Sequence, residues 1–263
     1  MTLSINLTNR RALVTGVSSG IGAGIALALA QAGADVVGCA LEPPDHAGPQ
    51  AFVAQAAALG RRAVYLQADV ANAAQARSFV DWAAAELGGI DYVVSNAGRN
   101  IFAGAEGCDE ATWQANIDLN LAAHWRVAQA ARPYLLQAEQ PVIIVIASNH
   151  AWRTTPGAFP YNVAKAGMTA LVQSLTLEWG PQIRTVGVAP GFINTPLADD
   201  WFAMFPDPAA KRASIEGIHP VGRLGSPADI GAFCAFLCSP LAGYIAGTTL
   251  LIDGGRSAVM QDV

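Results

Sequence analysis

A tyrosine and a lysine four residues apart, Tyr161 and Lys165, fall in a stretch with helical periodicity. At that spacing both project from one face of a helix. A free tyrosine, with a pKa of about 10, is a poor base. A neighbouring ammonium, together with other positive charge, favours the phenolate and lowers that pKa. Such a tyrosine could take the proton of an alcohol while hydride leaves the carbon. Ser148, which ends the apolar run Val142 to Ala147, could hydrogen-bond the same oxygen. Asn120, polar among Leu119, Leu121, Trp125 and Val127, could hold a water that links Lys165 to solvent, or serve a structural hydrogen bond.

A hydride needs an acceptor, and the N-terminal segment offers a place for one. Gly16-Val17-Ser18-Ser19-Gly20-Ile21-Gly22 follows a β-type run and precedes a helical one. Glycines there let backbone approach a pyrophosphate, and the helix start presents free N–H groups and a favourable dipole. Ser18 and Ser19 can donate to phosphate. The spacing is G-x-x-x-G-x-G, not G-x-G-x-x-G. A helix-capping turn without a ligand would use the same residues. Past the second strand, Ala40 and Leu41 carry no charge, and Glu42 is the nearest acid. No Lys or Arg stands in the glycine turn to neutralise a 2′-phosphate, so NAD is expected, with NADP left open. Asp69 could accept from an adenine amino group, and Asn96-Ala97-Gly98 could turn beside the adenosine. Asp, Asn and Gly also dominate ordinary turns.

The elements that must position these groups alternate regularly. Strands are expected at Arg11–Thr15, Asp35–Ala40, Ala63–Gln67, Asp91–Ser95, Val142–Ala147, Arg184–Ala189 and Thr249–Ile252. Helices are expected at Gly20–Gln31, Gln50–Leu59, Ala73–Leu87, Glu110–Gln137 with an interruption possible, Phe159–Trp179 and Ala228–Cys238. Such alternation implies right-handed crossovers and an α/β fold: one Rossmann-type, doubly wound parallel sheet with helices on both faces, spanning 1–263. Ligands then bind beyond the carboxyl ends of the strands, where the residues above fall. The segment from about Asn194 to Gly225 breaks the alternation. Its prolines and its aromatic residues Trp201, Phe202 and Phe205 suggest a lid, with a pair of surface helices as the plainer reading.

The 263 residues are 52% hydrophobic and 13% charged, which excludes disorder. A net charge of -5 without a basic run argues against a nucleic-acid partner. No apolar stretch reaches the roughly 18 residues of a membrane helix. Met1 to Thr8 lacks the basic and apolar regions of a secretory signal. Cys39, Cys108, Cys234 and Cys238 form no C-x-x-C pair; Cys234 and Cys238, four apart among apolar residues, read as small core side chains rather than a metal or redox site, which fits a reducing cytoplasm.

The combination of Thr15-Gly16-x-x-x-Gly20-Ile21-Gly22, Asp69-Val70, Asn96-Ala97-Gly98, Asn120, Ser148, Tyr161-x-x-x-Lys165, Pro190-Gly191-x-Ile193-x-Thr195 and Asp253-Gly254-Gly255 resembles the short-chain dehydrogenase/reductases over nearly the whole chain. The resemblance implies NAD(P) binding and a catalytic tetrad of Asn120, Ser148, Tyr161 and Lys165. It also implies that Tyr161 and Lys165 hold the nicotinamide ribose, that Ile193 and Thr195 hold the carboxamide, and that the chain forms a homotetramer. Two positions depart from the pattern. Ala40 stands where NAD-preferring members often have Asp, and Ser95 where an Asn usually precedes Asn-Ala-Gly.

The lid segment is similar to that of L-fucose and related aldose dehydrogenases, which implies oxidation of a sugar to a lactone. The stretch from Val37 to Pro43 is similar to NAD-linked 2-keto-3-deoxy sugar-acid dehydrogenases. Substrate contacts are expected from Asn149, His150, Trp152, Arg99, Asn100, Phe192 and Trp201. Arg99 or Arg153 could meet a carboxylate. A 3-oxoacyl or general carbonyl reductase is the chief rival enzyme, and a non-catalytic nucleotide-sensing protein the rival of another class.

Overall fold

The computed structural model describes residues 4–259, so the reading of Met1–Thr8 falls in part, at 1–3, outside the described residues. Seven strands form one parallel sheet in the order β3-β2-β1-β4-β5-β6-β7. They are β1 Arg11–Thr15, β2 Asp35–Ala40, β3 Ala63–Gln67, β4 Tyr92–Ser95, β5 Val142–Ile146, β6 Arg184–Pro190 and β7 Thr249–Ile252. The helices are α1 Gly20–Gln31, α2 Ala47–Ala58, α3 Ala73–Leu87, α4 Glu110–Ile117, α5 Ala123–Leu135, α6 Tyr161–Trp179, α7 Pro196–Ala203, α8 Pro208–Gly217 and α9 Pro227–Cys238.

Strand side chains alternate between the two faces. Val14, Val36, Val94, Ile144 and Val186 pack with Ile25 and Leu29 of α1, Phe52 of α2 and Ile230 and Cys234 of α9. Leu13, Val37, Val93, Ile143 and Val145 pack with Phe79 of α3, Val127 of α5 and Met168 and Val172 of α6. Central strand β5, Val-Ile-Ile-Val-Ile, is buried throughout, as a parallel strand covered on both faces must be. Helices α1 and α9 touch through glycines: a Cβ on Gly231 would lie 2.4 Å from the Gly24 carbonyl oxygen.

Several boundaries differ from the expected ones, most by one or two residues, and three of these differences bear on the site. Helix α2 starts at Ala47, with the His46 ring accepting from Gly48 N–H, because Pro49 lies in the first turn where no N–H is needed. Helix α6 starts at Tyr161 rather than Phe159, with Pro160 as its N-cap. The long helix is interrupted: a π-helical segment, Asp118–Ala122, separates α4 from α5. Such widened turns are frequent at functional sites.

The 194–225 segment holds α7 and α8, so it is both a helix pair and an excursion with a closed stem. Ile193 and Gly225 form a parallel bridge, with Asn194 N–H donating to Gly225 O at 2.8 Å and Gly225 N–H to Phe192 O at 3.0 Å. Arg212 of α8 donates to Asn194 Oδ1 at 2.9 Å and to Asp199 Oδ1 at 2.5 Å, and stacks over Phe202.

Candidate active site

The strand order reverses between β1 and β4, and a crevice opens there at their carboxyl ends. Thr15, fully buried, clamps it. Its Oγ1 accepts from the N–H groups of Asn96 and Ala97, both at 2.9 Å. Asn96 Nδ2 donates in return to Thr15 O at 2.9 Å. Asn96 is thus a brace between two strand ends. The sequence marks Thr15 only as the residue before the glycine turn.

The turn itself fits an anionic nucleotide. Gly16 has φ +76°, and a Cβ on Gly22 would sit 2.0 Å from Gly16 O and 2.5 Å from Asn96 Nδ2. Only bare backbone fits. Helix α1 follows with Ser19 extended at its N-cap and no side-chain cap bond, whereas α3, α4, α7, α8 and α9 each carry one. No acidic residue occupies its first turn. Ser18, Ser19, Gly20 and Ile21 therefore border an uncapped, electropositive helix start, suited to a pyrophosphate. At the end of β2, Gln67 donates to Leu41 O at 2.7 Å and the Tyr65 hydroxyl to Glu42 O. The Leu41 side chain is exposed. Arg61 and Arg62 start the next strand at its far end, where Arg62 pairs with Glu86. Asp69 Oδ1 accepts from Ala71 N–H at 2.9 Å, a turn bond, and Val70 is buried.

The candidate reacting groups converge from three elements. Ser148, buried just beyond β5, accepts from His150 N–H at 3.2 Å and so caps the 3₁₀ turn Asn149–Ala151. Tyr161 opens α6 and is buried. Lys165 lies one turn further on, 3% exposed, with Nζ donating to Ile146 O at 3.1 Å and standing 5.4 Å from the Tyr161 ring centroid. Asn120 sits in the π segment, fully buried. A Cβ on Gly98 would lie 2.9 Å from Asn120 Oδ1 and 3.6 Å from Lys165 Nζ, so this glycine lets all three approach.

The Asn120 side chain is tied up in protein. Its Nδ2 donates to Arg99 O at 2.9 Å and to Asn116 Oδ1 at 3.0 Å, and its Oδ1 accepts from Arg99 N–H at 3.1 Å. Electrostatics also differ from the sequence expectation. Burial pushes the Tyr161 phenol up to about 12 and the Lys165 ammonium down to about 7. Only the hydrogen bond with Ser148 pulls the tyrosine down. A low-dielectric site disfavours both charges, and for the lysine burial is the whole cause of the shift.

Around the mouth, His150 and Phe102 flank Tyr161, with ring centroids 5.7 Å and 5.4 Å away. His150 Nδ1 lies 3.0 Å from Thr154 Oγ1. Burial lowers the His150 pKa, which keeps the ring neutral. Phe102 is half exposed and its backbone bridges Pro160. No periodicity marks Phe102, which lies in a loop. Arg99, Asn100 and Trp152 are exposed, and Asn149 is half-buried with Oδ1 accepting from Ser148 Oγ at 3.4 Å. Phe192 and Trp201 are partly buried. Their rings lie 5.5 Å apart and join Phe202 and Phe205 in the lid's own apolar cluster. Pro190 ends β6, Gly191 N–H donates to Ile252 O at 3.0 Å, Ile193 is buried, and Thr195 Oγ1 caps α7. Behind the site, Ser95 Oγ lies 2.8 Å from Nδ1 of a fully buried histidine, His124, which explains why a serine suits that position.

Residues 16–257 match a family model described as Enoyl-(Acyl carrier protein) reductase. The chain is 35% identical to 3beta-hydroxysteroid dehydrogenase 1 of Eggerthella lenta, covering 96% of this chain and 95% of that one. It is also 35% identical to L-rhamnose 1-dehydrogenase (NAD(P)(+)) of a Sphingomonas species, covering 97% and 99%. The structure of Thermoplasma acidophilum aldohexose dehydrogenase superposes with a TM-score of 0.88 at 29% identity, covering 98% and 97%. With the sheet order, the glycine cradle and these matches together, the chain belongs to the short-chain dehydrogenase/reductases and is an NAD(P)-dependent dehydrogenase.

Proposed function

We propose that the chain oxidises a hydroxyl of a sugar or sugar acid with NAD. The observation that carries this reading is the mouth beside Tyr161. Neutral His150, with Nδ1 engaged by Thr154, keeps Nε2 for a substrate hydroxyl, and Phe102 offers a flat apolar face next to it. Asn149, Asn100 and Arg99 add polar groups around that face, and Trp152 a second aromatic surface. A pyranose needs this mixture of hydrogen bonds and one apolar face. The relatives named for L-rhamnose and aldohexose support the class. The lid's likeness to aldose dehydrogenases favours an L-fucose-type substrate, oxidised at C1 to a lactone.

The nicotinamide ring, when bound, accepts hydride from the substrate carbon. Tyr161 Oη takes the hydroxyl proton, and Ser148 Oγ holds the same oxygen. Lys165 serves the tyrosine and the nicotinamide ribose, and Asn120, whose Oδ1 keeps a second lone pair beyond the Arg99 N–H, holds the relay water that returns the proton to solvent. Gly16, Ser18, Ser19, Gly20, Ile21 and Gly22 cradle the pyrophosphate. Leu41 and Glu42 receive the adenosine ribose, Asp69 and Val70 the adenine, and Asn96, Ala97 and Gly98 the adenosine side of the crevice. Pro190, Gly191, Ile193 and Thr195 line the carboxamide. NAD is favoured over NADP because β2 ends on uncharged Ala40 and Leu41 and both nearby arginines stand at the far end of β3. The chain acts as one unit of residues 1–263, with 194–225 as its lid, assembles as a homotetramer and works in the cytoplasm. Buried free thiols at Cys39, Cys234 and Cys238 suit a reducing compartment.

A second reading, a sugar acid oxidised to a ketone, is favoured by Arg99 and Arg153, exposed near the mouth and forming no ion pair among the described residues. The test follows nicotinamide reduction with L-fucose, L-galactose, D-arabinose, L-rhamnose, D-glucose and 2-keto-3-deoxy sugar acids, offering NAD and NADP separately. Turnover on an aldose with NAD supports the first reading, and turnover on sugar acids alone the second. Carbonyl reduction with NADPH and silence on all sugars overturns both. Wild-type turnover no greater than that of Tyr161→Phe would mean a protein that only senses the nucleotide.

A further inference from the structure

Helix α4 buries one side chain completely, and that side chain is polar: Asn116. A buried amide is costly unless its groups are bonded, and an aliphatic residue would fill the same space without that cost. Both ends of Asn116 are bonded. Its Oδ1 accepts from Asn120 Nδ2 at 3.0 Å, and its Nδ2 donates to Pro160 O at 2.9 Å. Pro160 is the N-cap of α6, so its carbonyl belongs to the peptide that leads into Tyr161. A continuous line of bonds therefore runs from the Arg99 backbone through Asn120 and Asn116 to the base of the reacting tyrosine. The same peptide region is stitched from the other side, where Ala103 N–H donates to Phe159 O at 2.8 Å.

The geometry points to Asn116 as a positioning residue that fixes the start of α6 against the π segment, and so sets Tyr161 relative to Asn120 and Lys165. It touches neither substrate nor nucleotide. The π segment gives this link its importance. A widened turn is less constrained than an α-helix, and the i, i+4 amide pair across its entrance holds Asn120 at one orientation. The inference rests on Tyr161 being the proton acceptor.

The test compares Asn116→Val, Asn116→Asp and Tyr161→Phe. Asn116→Val removes both bonds at similar volume. It should lower kcat at least tenfold and move the pH midpoint of oxidation upward, while NADH binding, read by fluorescence, stays within twofold of wild type. Asn116→Asp provides the rescue. Its protonated carboxyl can donate to Pro160 O and accept from Asn120, so its kcat should approach wild type at low pH and fall towards that of Asn116→Val as the acid ionises. A merely structural role would lower the melting temperature of Asn116→Val and leave kcat and the pH midpoint of the folded enzyme unchanged, and that result overturns the inference. So does Asn116→Asp behaving like Asn116→Val at every pH. Full turnover by Tyr161→Phe is a different failure, since it removes the reading of the site rather than the role of Asn116 within it.

Discussion

Lys165 donates from Nζ to the carbonyl oxygen of Ile146 across 3.1 Å, at the point where β5 ends and the loop carrying Ser148 begins. One carbonyl does not replace the hydration of an ammonium, and burial brings the lysine down to about 7 from an ordinary 10.5. The unfolded chain thus holds this proton between pH 7 and 10.5 and the folded chain does not. This group's contribution to stability is complete above 10.5 and is lost as pH falls to 7. Lys165→Met should raise the melting temperature of the nucleotide-free protein at pH 7 and flatten its rise towards pH 10. It should also weaken both turnover and NADH binding. A wild-type melting curve at both pH values would show that the lysine is not buried as a charge.

Tyr161→Phe should lower turnover by about 10²–10⁴-fold, the usual worth of a general base, and leave NADH binding in place. The wild-type phenol, held up at about 12 by burial, must ionise to act in oxidation. Oxidation should therefore accelerate as pH rises, and carbonyl reduction should slow. An oxidation rate that falls from pH 7 to 9 would contradict the role given to this residue.

Gly22→Ala places a methyl 2.0 Å from a backbone oxygen and 2.5 Å from the Asn96 amide. Neither neighbour can withdraw without opening the Thr15 clamp. Overpacking of this kind costs about 1–3 kcal/mol. The variant should melt earlier and bind NADH at least a hundredfold more weakly by titration calorimetry. Binding at wild-type strength would show that the nucleotide does not rest on this turn.

His124 is fully buried, and burial drives its imidazole down to about 3 from an ordinary 6.5. The unfolded histidine takes up a proton below 6.5 and the folded one does not, so stability drains away as pH falls from 6.5 towards 3. His124→Gln keeps a partner for Ser95 and does not titrate. Its urea midpoint should change less between pH 7 and 4 than that of wild type. Parallel pH curves would place the acid sensitivity elsewhere.

Arg212→Ala cuts the bonds to Asn194 and Asp199 and uncovers Phe202. The ion pair is exposed enough that the stability cost should be under about 1 kcal/mol. The effect should appear instead as a several-fold rise in the substrate KM, with NADH binding unchanged. An equal rise in the NADH Kd would mean the lid's integrity also supports the cradle.

The parallel sheet and the groups at its strand ends were legible in the sequence because both rest on local patterns. Val142–Ile146 reads as a buried strand from five residues, and Tyr161 and Lys165 share a face by spacing alone. The Asn116–Pro160 bond was not legible, because it joins residues 44 apart through a side chain whose type suits any helix surface. Phe102 was missed for a similar reason: only the bridge to Pro160 carries it to the tyrosine. Phe192 and Trp201 were assigned to substrate from their placement near the lid. Sequence placement brings such aromatic side chains near the site and says nothing of the cluster they form with Phe202 and Phe205. The opposing shifts of Tyr161 and Lys165 need the extent of burial, which spacing does not contain.

The 194–225 excursion passes from its stem into α7 at Thr195, whose Cγ2 would lie 3.3 Å from a Cβ on Gly20, at the start of α1. Lid and cradle thus share a footing. The expected consequence of this close approach is a kinetic sequence in which nucleotide enters first and leaves last. Initial-rate patterns should show compulsory order, with NADH competitive against NAD alone. Random order would mean that the stem moves free of the helix beneath it.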